Sequence, residues 1–179
     1  RVEASGRFNQ AVYRRCMAVA QRAGARILAG EAVPLGDRIA FQLSNILVYG
    51  PLRDVLGMSK LRVAYSAGDA IAPDLLMYFR SLGINLKQLY GSTETGFCVA
   101  VQRDGKVNPE TVGAATDGVE LTFTPQSEIL VRSPGLLKEY HRAPDLTRQT
   151  RNAEGWLHTG DAGFLGHDGE IRVIDRIIN

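Results

Sequence analysis

Two cysteines and three histidines are too few, and too scattered, to organise this chain. Cys16 and Cys98 make no disulfide framework and are expected as buried thiols of a cytosolic protein. His141, His158 and His167 have no ligand-like spacing with either cysteine, so no zinc site is expected. No apolar run approaches the ~20 residues needed to cross a bilayer. A signal-peptide pattern is also missing, but the sequence starts at Arg1 inside a helical pattern. We therefore read it as an excised piece of a longer protein, whose targeting cannot be judged from here. Aromatic residues do not interleave with the basic ones and no nucleic-acid motif occurs, which sets DNA and RNA aside as partners.

What is present is enough for a real core: 179 residues, 45% hydrophobic, in one ordinary domain or two small ones. The net charge of +2 hides an asymmetry. Residues 1–60 carry nine Lys and Arg against four Asp and Glu; residues 61–179 carry twelve against fifteen. Arg7, Arg14, Arg15, Arg22 and Arg26 dominate that excess. A solvated helix face is the ordinary meaning of such a run. A surface for anionic lipid or for coenzyme A phosphates is the sharper alternative.

Phe8, Val12, Val19, Ala20, Ala23 and Ile27 recur at helical spacing and predict one amphipathic helix, broken at Gly30 to Pro34. A second helical stretch runs from about Asp37 to Leu56, with Gly50-Pro51 expected to interrupt it. A strand at Leu61 to Tyr65, a helix opened by Pro73 and closed by Gly83, and a strand at Ile84 to Leu89 follow. That spacing suits a right-handed crossover between parallel strands. From about Gly113 short β-rich pieces (119–123, 128–131, 170–174) alternate with turns, and Pro144 to Thr150 reads as a short helix. The expected class is α/β: a parallel-sheet α/β subdomain followed by a small antiparallel β-sheet or distorted barrel.

Two loops carry the chemistry. Ser66-Ala-Gly-Asp69 and Tyr90-Gly-Ser-Thr-Glu94 lie at the carboxyl ends of the two strands, where open α/β sheets bind ligands. Tyr90 offers a ring for a purine, and Ser92 and Thr93 offer hydroxyls to phosphate. Glu94 is a hard oxygen ligand of the kind magnesium shares with nucleotide phosphates. Asp161, expected to stand out after a tight Thr159-Gly160 turn, can accept from both hydroxyls of a ribose. Taken alone, an Asp in a Gly-rich turn is more often just a turn residue. Arg176 can reach ribose or phosphate, or pair with Asp175 or Glu170. Trp156 and His158 read as packing residues. A lysine-bearing, Gly-rich phosphate loop is lacking, although moving a nucleotidyl group needs positive charge on the phosphates. Part of such a machine must lie outside this sequence.

Together, Ser66-Ala-Gly-Asp-Ala-Ile71, Tyr90 to Gly96, Ser127-Glu-Ile-Leu-Val-Arg-Ser-Pro-Gly135, Gly155 to Asp161 and Ile174-Asp-Arg176 resemble the adenylate-forming superfamily over roughly residues 60 to 179. That superfamily holds acyl-CoA synthetases, luciferases and peptide-synthetase adenylation domains. The resemblance implies that Gly68, Asp69 and Ala70 line the adenine and Tyr90 stacks on it, with Gly91 and Ser92 in the same nucleotide loop. It implies Thr93 on phosphate, Glu94 on Mg2+, Asp161 on ribose, and Arg176 on ribose or α-phosphate; Thr93, Glu94 and Arg176 would be the catalytic set. The first sixty residues are similar to the insertion of bacterial long-chain fatty acyl-CoA synthetases, through the helix–linker–helix pattern and Pro51-Leu-Arg-Asp-Val-Leu-Gly57. Ala67 and Ser127 replace family glycines, and Ile178-Asn179 replaces the usual Lys-Asp or Lys-Glu of the hinge.

The resemblance thus implies a helical insertion (1–60), an adenylate-binding α/β portion (61–112), a β-rich subdomain (113–174) and the start of a hinge (175–179) within the large N-terminal domain. It implies ATP, Mg2+ and coenzyme A as cofactors and cosubstrates, a fatty acid as substrate, and a cytoplasmic enzyme; peripheral membrane contact and homo-oligomerisation stay open. By itself this stretch is expected to be inactive. Activation of another acid, loading of a carrier protein, and a non-catalytic adenylate-binding module remain as alternatives.

Overall fold

Two long helical segments, each widened by one π turn, make up the first part of the chain. The computed structural model describes residues 7–177; the Arg7 and Phe8 side chains, and Ile178 and Asn179 of the expected hinge, lie outside the described residues. α1 (Arg7–Val19) continues through a π turn (Ala20–Gly24) into α2 (Ala25–Leu28), with helical dihedrals at each junction. Gly24 ends that turn where a Cβ would lie 2.0 Å from the Ser81 carbonyl oxygen, so only glycine admits so close a backbone.

The expected interruption at Gly50-Pro51 does not occur. α3 (Leu35–Ser44) passes through a π turn (Asn45–Tyr49) into α4 (Gly50–Val55) without leaving helical dihedrals. Proline lacks an N–H and its ring collides with the carbonyl four residues back. Widening the preceding turn relieves this: the Gly50 N–H reaches Asn45 O, five residues back, and a Cβ on Gly50 would lie 2.9 Å from that oxygen. Cys16, Met17, Ala20, Phe41, Tyr49 and Leu82 form the core between these helices, and the Tyr49 hydroxyl donates to the Cys16 carbonyl. Two of the arginines make ion pairs close by, Arg22 with Asp37 at 2.5 Å and Arg26 with Glu31 at 3.0 Å.

β1 (Ala64–Ser66) is shorter and later than the expected strand, its pairing beginning where Ala64 N–H donates to Asn85 O at 2.9 Å. α5 (Pro73–Ser81) starts at its proline, and Gly83 turns the chain at φ +80° as anticipated. β2 (Leu86–Tyr90) follows, and two strands of two residues each, β3 (Ala100–Val101) and β4 (Ala114–Ala115), extend the sheet in the order β1-β2-β3-β4. The β1–β2 step is parallel and the next two are antiparallel, so the sheet is mixed. β3 and β4 were not expected; two residues are too few to show a period.

The second sheet is an antiparallel meander of β5 (Glu120–Phe123), β6 (Glu128–Arg132), β7 (Leu157–Leu165) and β8 (Ile171–Arg176), with α6 (Pro144–Thr150) between β6 and β7. The chain forms two compact units, Arg1–Ala64 with Ile71–Lys87, and Tyr65–Ala70 with Gln88–Asn179. In the second unit Val99, Ala100, Ile129, Val131 and Ile171 form the core. Its two sheets are stitched by Val112 N–H to Ile171 O at 2.9 Å and Ile171 N–H to Gly113 O at 2.8 Å. Beneath β2 the buried Gln88 and Gln102 amides both donate to Thr111 O at 2.8 Å, which satisfies polar groups that would otherwise be costly to bury.

Candidate adenylate site

All the candidate residues belong to the second unit. The loop after β1 is exposed; Gly68 turns it at φ +90°, and Asp69 Oδ1 accepts the Ala70 N–H at 2.8 Å. Asp69 is thereby committed to its own loop. The loop after β2 is wound tighter. Ser92 N–H donates to Thr95 Oγ1 at 2.8 Å, the Thr95 hydroxyl donates back to Ser92 O at 3.0 Å, and Phe97 N–H reaches the same oxygen at 2.8 Å. A Cβ on Gly91 would lie 2.0 Å from Phe97 O, so the doubling back requires glycine there. This winding leaves the Thr93 side chain exposed and buries Thr95. Thr95 went unnoticed in the sequence, although a serine and a threonine three apart in a turn are a known back-bonding pair.

Tyr90, Asp161 and Arg176 meet. The Tyr90 hydroxyl donates to Asp161 Oδ2 at 2.7 Å, and Arg176 Nε lies 3.3 Å from Asp161 Oδ1. Asp161 and Arg176 are direct partners in the β7–β8 register, which places both side chains on one face. The expectation that Asp161 stands free after a tight turn needs correction: it lies inside β7, its side chain only 15% exposed. A carboxylate so far from water needs partners, and β2 and β8 supply them as Tyr90 and Arg176, while β7 carries a bulge just before it at Thr159-Gly160. Arg176 is 79% exposed, so its guanidinium keeps donors for something else. Of its alternative partners, Asp175 instead accepts the Arg176 backbone N–H at 2.7 Å and Glu170 takes the Thr111 hydroxyl at 2.6 Å. The Tyr90 ring packs on the second core, and burial, ahead of the Asp161 carboxylate, pushes its phenol well above the ordinary range.

Glu94 is held by a residue the sequence did not single out. The Tyr140 hydroxyl donates to Glu94 Oε1 at 3.0 Å, and Leu137 N–H donates to Glu94 O at 2.7 Å. Its own backbone N–H, then the Ser92 and Tyr140 hydroxyls and the Arg176 charge, hold its carboxyl below the usual range against the effect of burial. A half-buried carboxylate held in its ionised form suits a magnesium ion that takes the rest of its ligands from phosphates and water. Among the described residues no cluster of three or more acidic, histidine or cysteine side chains could hold a metal alone.

Trp156 does pack, under the Arg132 guanidinium at 4.5 Å. His158 does more than pack: its Nδ1 lies 3.0 Å from Glu128 Oε2.

Comparison with known proteins gives the family. The profile of the family described as AMP-binding enzyme matches residues 9–141. A Mycobacterium tuberculosis protein named as a fatty-acid–CoA ligase, fadD11, is 34% identical over 89% of this chain and 28% of its own length. The chain therefore spans little more than a quarter of that relative. A malonyl-CoA ligase, solved as a ternary product complex with methylmalonyl-CoA and AMP, superposes with a TM-score of 0.61 at 28% identity, over 74% of this chain and 32% of that one. The anthranilate CoA ligase AuaEII, solved with anthranoyl-AMP, gives a TM-score of 0.61 at 27% identity, over 66% of this chain and 25% of that one.

Proposed function

Because the chain belongs to the AMP-binding enzyme family, we propose that its full-length protein is an ATP-dependent acid–CoA ligase, with a long-chain fatty acid as the acid. The observation that carries this reading is the joined set Tyr90, Asp161 and Arg176. It puts an aromatic ring, a desolvated acceptor and an exposed guanidinium side by side, which is what a nucleoside phosphate requires. The long-chain branch is supported by the helix–linker–helix of the first sixty residues and by relatives named as fatty-acid–CoA and long-chain acyl-CoA ligases.

In this reading the exposed loop of Gly68, Asp69 and Ala70 borders the adenine, with Gly91 and Ser92 across from it. Asp161, oriented by Tyr90, accepts from the ribose hydroxyls. The acid's carboxylate oxygen attacks the α-phosphorus of ATP; the bond to the bridging oxygen breaks and pyrophosphate leaves, giving acyl-AMP. The coenzyme A thiol, losing its proton, then attacks the acyl carbon and expels AMP. Thr93 donates to a phosphate oxygen, and Arg176 meets negative charge as it grows, where fixed donors are most effective. Glu94 would hold Mg2+, which when bound neutralises phosphate charge.

A second acid class is favoured by one observation: the anthranilate ligase structure, an aryl-acid enzyme, gives the same TM-score, 0.61, as the malonyl-CoA ligase. Measuring kcat/KM for thioester formation by the full-length protein across fatty acids of rising chain length and aryl acids tests this. A maximum at long chains supports the proposal; a preference for aryl acids replaces the substrate and keeps the chemistry.

A further inference from the structure

Glu128 sits where β7 leaves regular pairing with β6. The register runs Val131↔Leu157 and Leu130↔His158, then jumps to Glu128↔Ala162. Thr159, Gly160 and Asp161 therefore lie opposite Ile129 alone. Extra residues in one strand bend it and re-aim a side chain, provided something satisfies the backbone groups the bulge frees.

Glu128 does this from both sides. Its Oε1 accepts the Gly160 N–H at 3.1 Å, and its Oε2 lies 3.0 Å from His158 Nδ1, so one carboxylate grips the residues on either side of Thr159. Since an ionised carboxylate only accepts, the His158 proton must sit on Nδ1 for this bond. Other bonds complete the bulge. The Thr159 hydroxyl donates to Ile129 O at 2.8 Å, Asp161 N–H donates to Thr159 Oγ1 at 3.1 Å, and Gly163 N–H reaches Ser127 O at 2.9 Å. Gly160 takes φ +71°, which glycine adopts without strain, and Ser127, just before β6, takes φ +64°, a region that non-glycine residues rarely occupy. The Glu128 side chain is 18% exposed, and each of its oxygens has a protein partner. It is thus built into the bulge rather than offered to a ligand.

We propose that Glu128 is a positioning residue: by clamping His158 and Gly160 it sets the direction of the Asp161 carboxylate and so the recognition of the ribose. The inference rests on the reading above in which Asp161 accepts from ribose hydroxyls. Sequence spacing gives no hint of it, because Glu128 and Gly160 are 32 residues apart and meet only through strand register.

The test uses the full-length protein and the ratio of kcat/KM for ATP to that for 2′-deoxyATP, with Asp161→Ala as reference. Glu128→Ala is expected to lower the ratio at least about fivefold while the KM for the acid stays unchanged. Glu128→Gln, whose amide oxygen can still accept from Gly160, is expected to recover most of it. A merely structural role would lower thermal stability without moving the ratio or being rescued by glutamine. If Glu128→Ala does not fold, Glu128→Asp, one methylene too short to span both partners, is read instead and is expected to lower the ratio. A wild-type ratio in Glu128→Ala or Glu128→Asp, with the ratio lost in Asp161→Ala, overturns the positioning role alone. So does a glutamine variant as poor as alanine. A wild-type ratio in Asp161→Ala overturns the ribose reading and this inference with it.

Discussion

Tyr90 and Asp161, 71 residues apart in sequence, share a hydrogen bond of 2.7 Å that ties the end of β2 to the middle of β7. The ring and the hydroxyl of Tyr90 therefore do separable things. Tyr90→Phe keeps the ring and leaves a mostly buried carboxylate one donor short. A charge-assisted bond of this kind is worth about 1.5–3 kcal/mol. The KM for ATP is expected to rise roughly tenfold or more, with a smaller change in kcat at saturating ATP. Steady-state kinetics of the full-length protein check this.

The same burial makes the protein sensitive to alkali. The phenols of Tyr90 and Tyr140 are raised above their ordinary value and that of Tyr78 is pushed to about 12, burial being the largest cause in each. A raised folded-state value means that the folded form holds the proton longer. The contribution to stability is whole below about 10, the unfolded value, and is lost as pH rises towards the folded value. Urea midpoints from pH 8 upward should stay level and then fall, and Tyr90→Phe should flatten the fall.

Tyr140→Phe removes the hydroxyl that engages Glu94 Oε1 and nothing else. A hydrogen bond to a charged group contributes about 1.5–3 kcal/mol, so the Mg2+ concentration for half-maximal activity is expected to rise roughly tenfold or more. Thermal unfolding should stay close to wild type. An unchanged Mg2+ requirement would show that the tyrosine only packs.

Gly91 and Gly36 make a contrasting pair. A methyl on Gly91 meets the Phe97 carbonyl at 2.0 Å, so Gly91→Ala must move backbone in the loop that carries Glu94. Forced overpacking costs about 1–3 kcal/mol, and both the unfolding midpoint and ATP affinity should drop. Gly36, in the first turn of α3, has nothing within 4 Å. Gly36→Ala should stabilise by roughly 0.4–1 kcal/mol through the unfolded chain. Thermal denaturation of the two variants reads both signs.

Elements with a strong local signal were legible in the sequence. Pro73 and Gly83 bracket α5, Pro144 opens α6, and the loops after β1 and β2 lie where the strand ends put them. What escaped depends on partners remote in sequence. β3 exists only because β2 offers it an edge, β4 only because β3 does, and Tyr140 matters only because Glu94 lies beside it. Thr159-Gly160-Asp161 looked like a turn because glycine next to aspartate usually makes one. In the fold the same residues form a bulge, since β6 and β8 pair on either side of them. Gly50-Pro51 misled in the same way: proline forbids a regular α-turn, but a π turn removes the conflict without ending the helix.

In the proposed function the site adenylates an acid and Glu94 holds the metal. Acid-dependent exchange of pyrophosphate into ATP by the full-length protein tests it most directly, wild type beside Glu94→Ala. Exchange is expected to need an added acid and to fall about 10²–10³-fold in the variant, as for loss of one preorganised charge-stabilising group. No exchange with any acid, or undiminished exchange in Glu94→Ala, would contradict it.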